Sequence, residues 1–217
     1  GKIAAFARGA RRPNSALVGV TSPFSFGQFT VYEGRTSYTL VSASISNYFE
    51  ELRTDVEGAY YGFYFMDLAN YYAREASDET LLLKLLYQTF RALVNTRIPN
   101  RLIRYIYELK VISINGEGPQ VFECIGCGDR ELEKVFSIRR GGLLCRQCAA
   151  HVTDGRKLSA STLYAMQYII ASPVEKLYTF LVKEDVLKEL GDVVTAYMAE
   201  YLGKSFKSLE ILETLIM

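Results

Sequence analysis

The chain has 217 residues, 49% of them hydrophobic, which suits one large domain or two small ones and excludes wholesale disorder. Its 25 basic and 24 acidic residues leave a formal charge of +1, so overall charge points to no class of partner. No apolar run is long enough to span a membrane, and no charged-then-apolar leader indicates secretion.

Charge is distributed unevenly. Between Gly1 and Phe49 the basic residues Lys2, Arg8, Arg11, Arg12 and Arg35 stand against a single acid, Glu33; from Glu50 onward the signs nearly balance. A basic front on a neutral body suggests a face made for a polyanion, the alternative being a solvated basic hairpin with no ligand. The chain opens at Gly1 on an expected strand, from which a natural beginning further upstream is expected.

Residues 2 to 45 read as β-rich. Lys2 to Ala7 and Leu17 to Thr21 are short apolar runs expected as strands, and Gln28 to Tyr32 and Tyr38 to Ala43 flank Glu33-Gly34-Arg35 as a hairpin. An oligonucleotide-binding barrel is one small fold that such strands fit. From about Ile45 the period becomes helical. Val56, Tyr60, Phe63 and Asp67/Leu68, with Tyr64 and Tyr71 alongside, predict one stripe, and Leu82, Leu85, Leu86, Thr89, Phe90 and Leu93 predict the next, capped by Ser77. Pro99 opens a third helix with Ile103, Ile106, Tyr107 and Leu109 inward, ending at Gly116 and Gly118. Ser161 opens another, Ser172-Pro173-Val174-Glu175 reads as a capping box, and helical spacing runs through Val193, Tyr197 and Tyr201 to Gly203.

All four cysteines fall between the third and fourth of these helices. Cys124-Ile-Gly-Cys127 and Cys145-Arg-Gln-Cys148 are separated by 17 residues, Gly128 to Leu144, of which Val135 to Leu144 reads as a hairpin returning the second pair to the first. Two residues between cysteines let both sulfurs reach one ion from a tight turn, and Gly126 and Gly128 suit such a turn. This is zinc-ribbon spacing, and four thiolates fill the coordination sphere, so the expected role is structural. The alternatives are four unrelated thiols, two redox pairs, or His151 replacing Cys148. Clustering of this kind suits a reducing cytoplasm better than a disulfide framework.

Catalytic signals are absent. Gly203-Lys204-Ser205 follows a helix and has Met198 where a phosphate-binding loop needs glycine, so a helix ending at Gly203 is the better reading. His151 and Asp154 have no serine elbow around them. No enzymatic role is expected. Of the 16 tyrosines, Tyr60, Tyr61, Tyr64, Tyr71 and Tyr72 crowd one helix and are expected to pack. Phe6, Phe24, Phe26, Phe29 and Tyr32, on the basic front, are the candidates for stacking on bases.

In this order the features resemble a known family. Gly1-Lys2-Ile3-Ala4-Ala5-Phe6-Ala7-Arg8-Gly9-Ala10-Arg11-Arg12-Pro13 resembles the early strand and basic turn of the bacterial RecO recombination mediators. Ser22-Pro23-Phe24, the paired cysteines after a run of helices, and Lys204-Ser205-Phe206-Lys207-Ser208-Leu209 are similar to later parts of that family. The resemblance implies a noncatalytic DNA repair factor, cytoplasmic and nucleoid-associated. It implies binding and annealing of single- and double-stranded DNA, action with RecR, capture of the acidic tail of single-strand-binding protein, and indirect help to a recombinase. It also implies about one further strand pair before Gly1, so that the barrel here is incomplete.

The expected fold is therefore α+β. An oligonucleotide-binding-like region at 1–46 precedes a helical domain at 47–217, with a zinc module at about 120–152. Lys2, Arg8, Arg11 and Arg12 would meet phosphates, with Arg35 as a further candidate; Arg139, Arg140 and Arg146 extend the track or merely solvate a hairpin. Arg101, Arg104 and Lys110 are candidate rim residues of a peptide groove. The second functional reading is a zinc-containing adaptor without direct DNA binding.

Overall fold

The computed structural model describes residues 1–130 and 134–216. The architecture is α+β, with strands first, then helices, and a second small sheet between helices. Contacts divide the chain into two compact units, Gly1–Val94 with Ser208–Met217, and Asn95–Lys207.

In the first unit, β1 (Ala5–Phe6), β2 (Phe26–Glu33) and β3 (Tyr38–Asn47) form a sheet in the order β1–β3–β2. β2 and β3 are the expected antiparallel hairpin, closed by the Gly34 amide donating to the Ser37 carbonyl at 2.9 Å. β1 pairs parallel to β3 through only two residues, so among the described residues the sheet is open. Leu17–Val20 is a turn of helix, α1, rather than the expected strand. Four apolar residues carry no decisive period, and here local bonds decide: the Ser15 hydroxyl accepts from the Leu17 amide and the Thr21 hydroxyl donates to the Leu17 carbonyl.

The helices of this unit are α2 (Glu51–Thr54), α3 (Val56–Tyr72), α4 (Thr80–Val94) and α8 (Lys207–Ile216). Asp78, rather than Ser77, caps α4, its carboxylate accepting from the Thr80 amide and hydroxyl. The α4 stripe is buried as expected except for half-buried Leu86, while α3 buries Tyr64 and Leu68 of its expected set but otherwise turns a different face inward. Gly58, Tyr61, Gly62, Tyr64, Phe65 and Leu68 are buried, whereas Val56 and Phe63 are exposed. The cause is Gly62: a Cβ there would lie 2.6 Å from the Phe24 ring, so the missing side chain admits that ring against the helix.

The period turns helical at about Ile45, yet the compact unit runs on to Val94, because aromatic rings bind the strands to the helices. Phe24 meets Phe63 at 5.1 Å and Phe90 at 5.3 Å, Phe49 meets Phe90 at 5.5 Å, and Phe26 meets Tyr87 at 4.4 Å between centroids. Phe24 and Phe49 hold left-handed backbone angles (φ 66° and 46°). For bulky residues that conformation costs about 1–3 kcal/mol, and burial of a ring outweighs it.

The second unit packs α5 (Asn100–Ile114) against α6 (Ala160–Ala171) and α7 (Glu184–Leu202), with β4 (Lys134–Ser137) and β5 (Gly142–Cys145) as an antiparallel pair. Residues 102–112 of α5 are all buried, including charged ones. Arg104 and Glu108 form an ion pair at 2.8 Å with side chains 7% and 1% exposed. The Lys110 ammonium donates to the carbonyls of Ile170 and Ser172. Ser172 thus ends α6 instead of capping a new helix, and the expected capping box yields one turn of 3-10 helix at Val174–Lys176. α6 itself is capped by Ser159, not opened at Ser161: the Ser159 hydroxyl accepts from the Thr162 amide. α7 ends at Gly203 in the left-handed conformation (φ 56°), so the lysine-serine pair behind it is a helix terminus, not a phosphate loop.

Candidate metal centre and nucleic-acid face

Two tight turns build the cysteine site. In the first, the Gly128 amide donates to the Cys124 carbonyl at 2.8 Å and Gly128 adopts φ 76°, which an L side chain rarely does. Gly126 serves by close approach: a Cβ on it would lie 2.8 Å from the Cys148 sulfur. In the second, the Ala149 amide donates to the Cys145 carbonyl at 2.9 Å. The strands β4 and β5 bring this turn back, and the Ile125 amide donates to the Leu143 carbonyl across the gap.

The four Sγ atoms lie within 4.8 Å of one another, and those of Cys127 and Cys145 are 3.7 Å apart. This is far beyond a disulfide bond of about 2.05 Å, and all four are free thiols. Backbone amides point at the sulfurs, from Cys145 to Cys124 at 3.2 Å, from Gly126 to Cys124 at 3.4 Å and from Cys148 to Cys145 at 3.5 Å. Burial pushes the Cys124 thiol up, and the amides of Cys145, Gly126 and Cys127 more than reverse that, bringing it to about 6. Crowding by the sulfurs of Cys145, Cys127 and Cys124 pushes Cys148 up to about 12. Four sulfurs this close ionise together only around a cation, so these residues could hold a metal ion. His151 is exposed and stands outside the set.

The module is fastened by residues to which the motif gives no clue. Tyr197 and Tyr201 stack at 4.3 Å with rings 15° apart; the Tyr201 hydroxyl donates to the Ile138 carbonyl and the Tyr197 hydroxyl to that of Glu117. The Asp154 carboxylate accepts from the Ser137 hydroxyl and the Arg139 amide, and the Ser137 hydroxyl in turn accepts from the Arg140 amide. That network shapes the β4–β5 turn, on which Arg139 and Arg140 are exposed; Arg146, in the second cysteine turn, is exposed too.

Of the basic front, Arg8, Arg11 and Arg12 are exposed in the turns after β1, where the Arg12 amide donates to the Gly9 carbonyl at 2.9 Å. Arg35 is exposed in the β2–β3 loop. The Lys2 ammonium donates to the Asn70 carbonyl near the end of α3. The five aromatic candidates separate cleanly. Phe24 is core, Phe26 is half-buried against Tyr87, and Phe6, Phe29 and Tyr32 are 63%, 45% and 67% exposed. The expected groove rim is not formed by its three residues. Arg104 is spent on Glu108, Lys110 on the end of α6, and only Arg101 is substantially exposed, 3.6 Å from Glu184.

Comparison with known proteins accounts for both halves. Residues 1–49 match the family described as Recombination protein O N terminal, and residues 53–210 match Recombination protein O C terminal. The chain belongs to the RecO family. Similar relatives are each named DNA repair protein RecO. That of Acetivibrio thermocellus is 35% identical, covering 99% of this chain and 86% of the relative. Those of Alkaliphilus metalliredigens and Halalkalibacterium halodurans are each 31% identical, covering 97% and 99% of this chain and 87% and 84% of theirs. No helix among the described residues of this RecO member is long and apolar enough to cross a membrane.

Proposed function

We propose that this chain is a noncatalytic DNA repair and recombination mediator that binds single- and double-stranded DNA and anneals complementary strands. The observation that carries this reading is membership of the RecO family along nearly the whole chain, through relatives named for DNA repair. In this reading the strand-rich residues 1–46 carry the DNA contacts, and the helical remainder, with its module at about 120–152, carries partner contacts. Arg8, Arg11 and Arg12, exposed within five residues, supply phosphate neutralisation without sequence preference. Arg35 lies on the same unit, and Arg139 and Arg140 offer a second basic turn. The partners are RecR and the acidic tail of single-strand-binding protein, with indirect action on a recombinase, at DNA in the cytoplasm. A cleft of about 710 Å³ walled by Tyr164, Tyr168, Phe180, Leu181 and Val186, with Lys183 among its lining residues, suits the apolar end of such a tail.

The metal in this reading is one structural zinc ion. With Zn–S bonds of about 2.3 Å, tetrahedral geometry sets sulfurs about 3.8 Å apart, and the Cys127–Cys145 separation of 3.7 Å agrees. When bound, zinc holds the two turns together; no open ligand position is left for chemistry.

The test is binding of fluorescent single strands and duplexes over a salt series. Affinity should fall with salt with a slope of about −0.7 per neutralised phosphate for single strands and about −0.9 for duplex. Replacing Arg11 and Arg12 together with alanine should weaken all sequences alike and flatten the slope by roughly one to two units. Absence of DNA binding by the intact protein at low salt would favour the adaptor reading instead.

A further inference from the structure

We infer that Cys127 is an oxidation site at which hydroperoxides act on the metal-loaded module, and that Cys145 closes the product as a disulfide between the two cysteine turns. The inference goes beyond the zinc reading and rests on it, since it needs four thiolates gathered by a cation. The four sulfurs are not equivalent. Cys124 and Cys145 are 2% and 8% exposed and form an apolar cluster with Leu144, packed over by Ile125, Val135, Ala149 and Val152. Cys148 is half-buried, with its sulfur so close to Gly126 that a Cβ there would lie 2.8 Å away. Cys127 alone of the four is exposed. It stands between Gly126 and Gly128, so neither neighbour carries a side chain to shield it, and a Cβ on Gly128 would meet nothing within 4 Å. A small oxidant therefore reaches this sulfur without displacing the module. A metal-bound cysteine is already a thiolate, and an exposed thiolate beside a second sulfur is the kind that oxidants take first.

Cys145 is placed to resolve the product. Its sulfur lies 3.7 Å from that of Cys127, across the gap between the turns. With hydrogen peroxide as oxidant, the Cys127 thiolate attacks one peroxide oxygen. The O–O bond breaks, hydroxide leaves, and the sulfur becomes a sulfenic acid. The Cys145 thiolate then attacks the Cys127 sulfur; the S–O bond breaks as a second hydroxide leaves, and the S–S bond forms. The two thiolates have together lost two electrons, the peroxide has gained them, and both hydroxides take up protons from solvent to become water. Cys124 and Cys148 are left as ligands, too few to fill a tetrahedral sphere, so the ion is released. The new bond joins the same two turns that the ion joined, so they stay linked after it leaves, and a thiol reductant returns all four ligands. A disulfide that forms and is reversed in this way is the transient kind that a reducing compartment permits.

The experiment treats the intact protein, prepared without chelator, with hydrogen peroxide at one equivalent per chain. Free zinc is followed with a chromogenic chelator, sulfenic acid is trapped with dimedone, and disulfides are mapped by peptide mass spectrometry. Zinc release should keep pace with the loss of two thiols per chain. Dimedone should mark Cys127, and the mapped bond should be Cys127–Cys145. Reduction with added zinc should restore the starting metal content. Two variants sharpen the assignment, because three cysteines and a histidine also make a zinc set. Cys148→His should keep the metal and still release it to peroxide, whereas Cys127→His should keep the metal and lose the fast release. Where a variant fails to hold metal, the dimedone and disulfide maps of the unsubstituted protein decide. A first mark on another cysteine, a Cys124–Cys127 or Cys145–Cys148 bond, or zinc retained beside intact thiols overturns the oxidation site and leaves the zinc reading standing. Protein that carries no metal before treatment overturns the zinc reading and this inference with it.

Discussion

The cysteine module and the strand sheet solve opposite problems. The module converges four side chains on one point, and local geometry does nearly all the work: two short turns, glycines at Gly126 and Gly128, and amides aimed at the Cys124 and Cys145 sulfurs. The sheet spreads its candidate groups over a surface, and what orients them is distant. Phe24 and Phe26 turn inward only because Phe63, Tyr87 and Phe90, on two later helices, are there to receive them. The module should therefore fail locally and completely on loss of one ligand. The sheet should fail only as part of its whole unit.

The sharpest way to break this comparison is metal removal. On the proposed zinc reading, Cys145→Ser, or strong chelation of the intact protein, should abolish metal content and unfold the module, since apparent binding energies of structural zinc are about 10–16 kcal/mol. Elemental analysis and hydrogen exchange check this, and the first unit should keep its protection. Gly126→Ala tests the same site more gently. Its added Cβ meets the Cys148 sulfur, so it should lower metal affinity in a chelator competition without emptying the site.

Next in size is Phe24→Ala. Loss of this ring should cost about 3–5 kcal/mol by chemical denaturation and lower the protection of the strands and of α3 and α4 together. If only the strands lose protection, the sheet is an independent module after all. Gly62→Ala is a finer probe of the same packing. Helix propensity alone would stabilise by up to about 1 kcal/mol, but the new Cβ would sit 2.6 Å from the Phe24 ring. Overpacking should reverse the sign, giving a loss of about 1–3 kcal/mol.

The smallest expected effect concerns pH. Burial raises the Asp154 carboxyl, but the Arg139 amide and Ser137 hydroxyl more than offset this and hold it below the usual carboxylate value. A lowered folded value means stability that is present above the ordinary carboxylate range and lost as pH falls through the folded pKa. Below about pH 4 the β4–β5 turn should loosen, and Asp154→Asn should make that loss shallower. Amide signals of Arg139 and Arg140 followed through an acid titration would show it.

Much was legible from residues alone, for identifiable reasons. The CxxC pairs were legible because a metal site built from tight turns writes its geometry into spacing, and the intervening hairpin followed from Gly141-Gly142. The β2–β3 hairpin and the α4 and α5 stripes were legible because each repeats one period for long enough to exclude the other. Short or terminal signals failed. Leu17–Val20 was too brief to carry a period, and the box at Ser172-Pro173-Val174-Glu175 was followed by only one turn of 3-10 helix.

The division of labour is physical. Sequence by itself determined which cysteines can ligate and which long segments are helical, because those depend on neighbours within a few positions. Only the tertiary structure decided which aromatics face outward, which cations are free for a ligand and where the first compact unit ends. Phe24 and Tyr32 are equally good stacking residues on paper. One is buried because Gly62 leaves it room, and the other stands 67% exposed on β2. Arg104 and Arg11 are likewise the same side chain, but Glu108 claims the first and nothing in the turn after β1 buries the second. Exposure and pairing belong to groups brought together from far along the chain, and no local pattern encodes them.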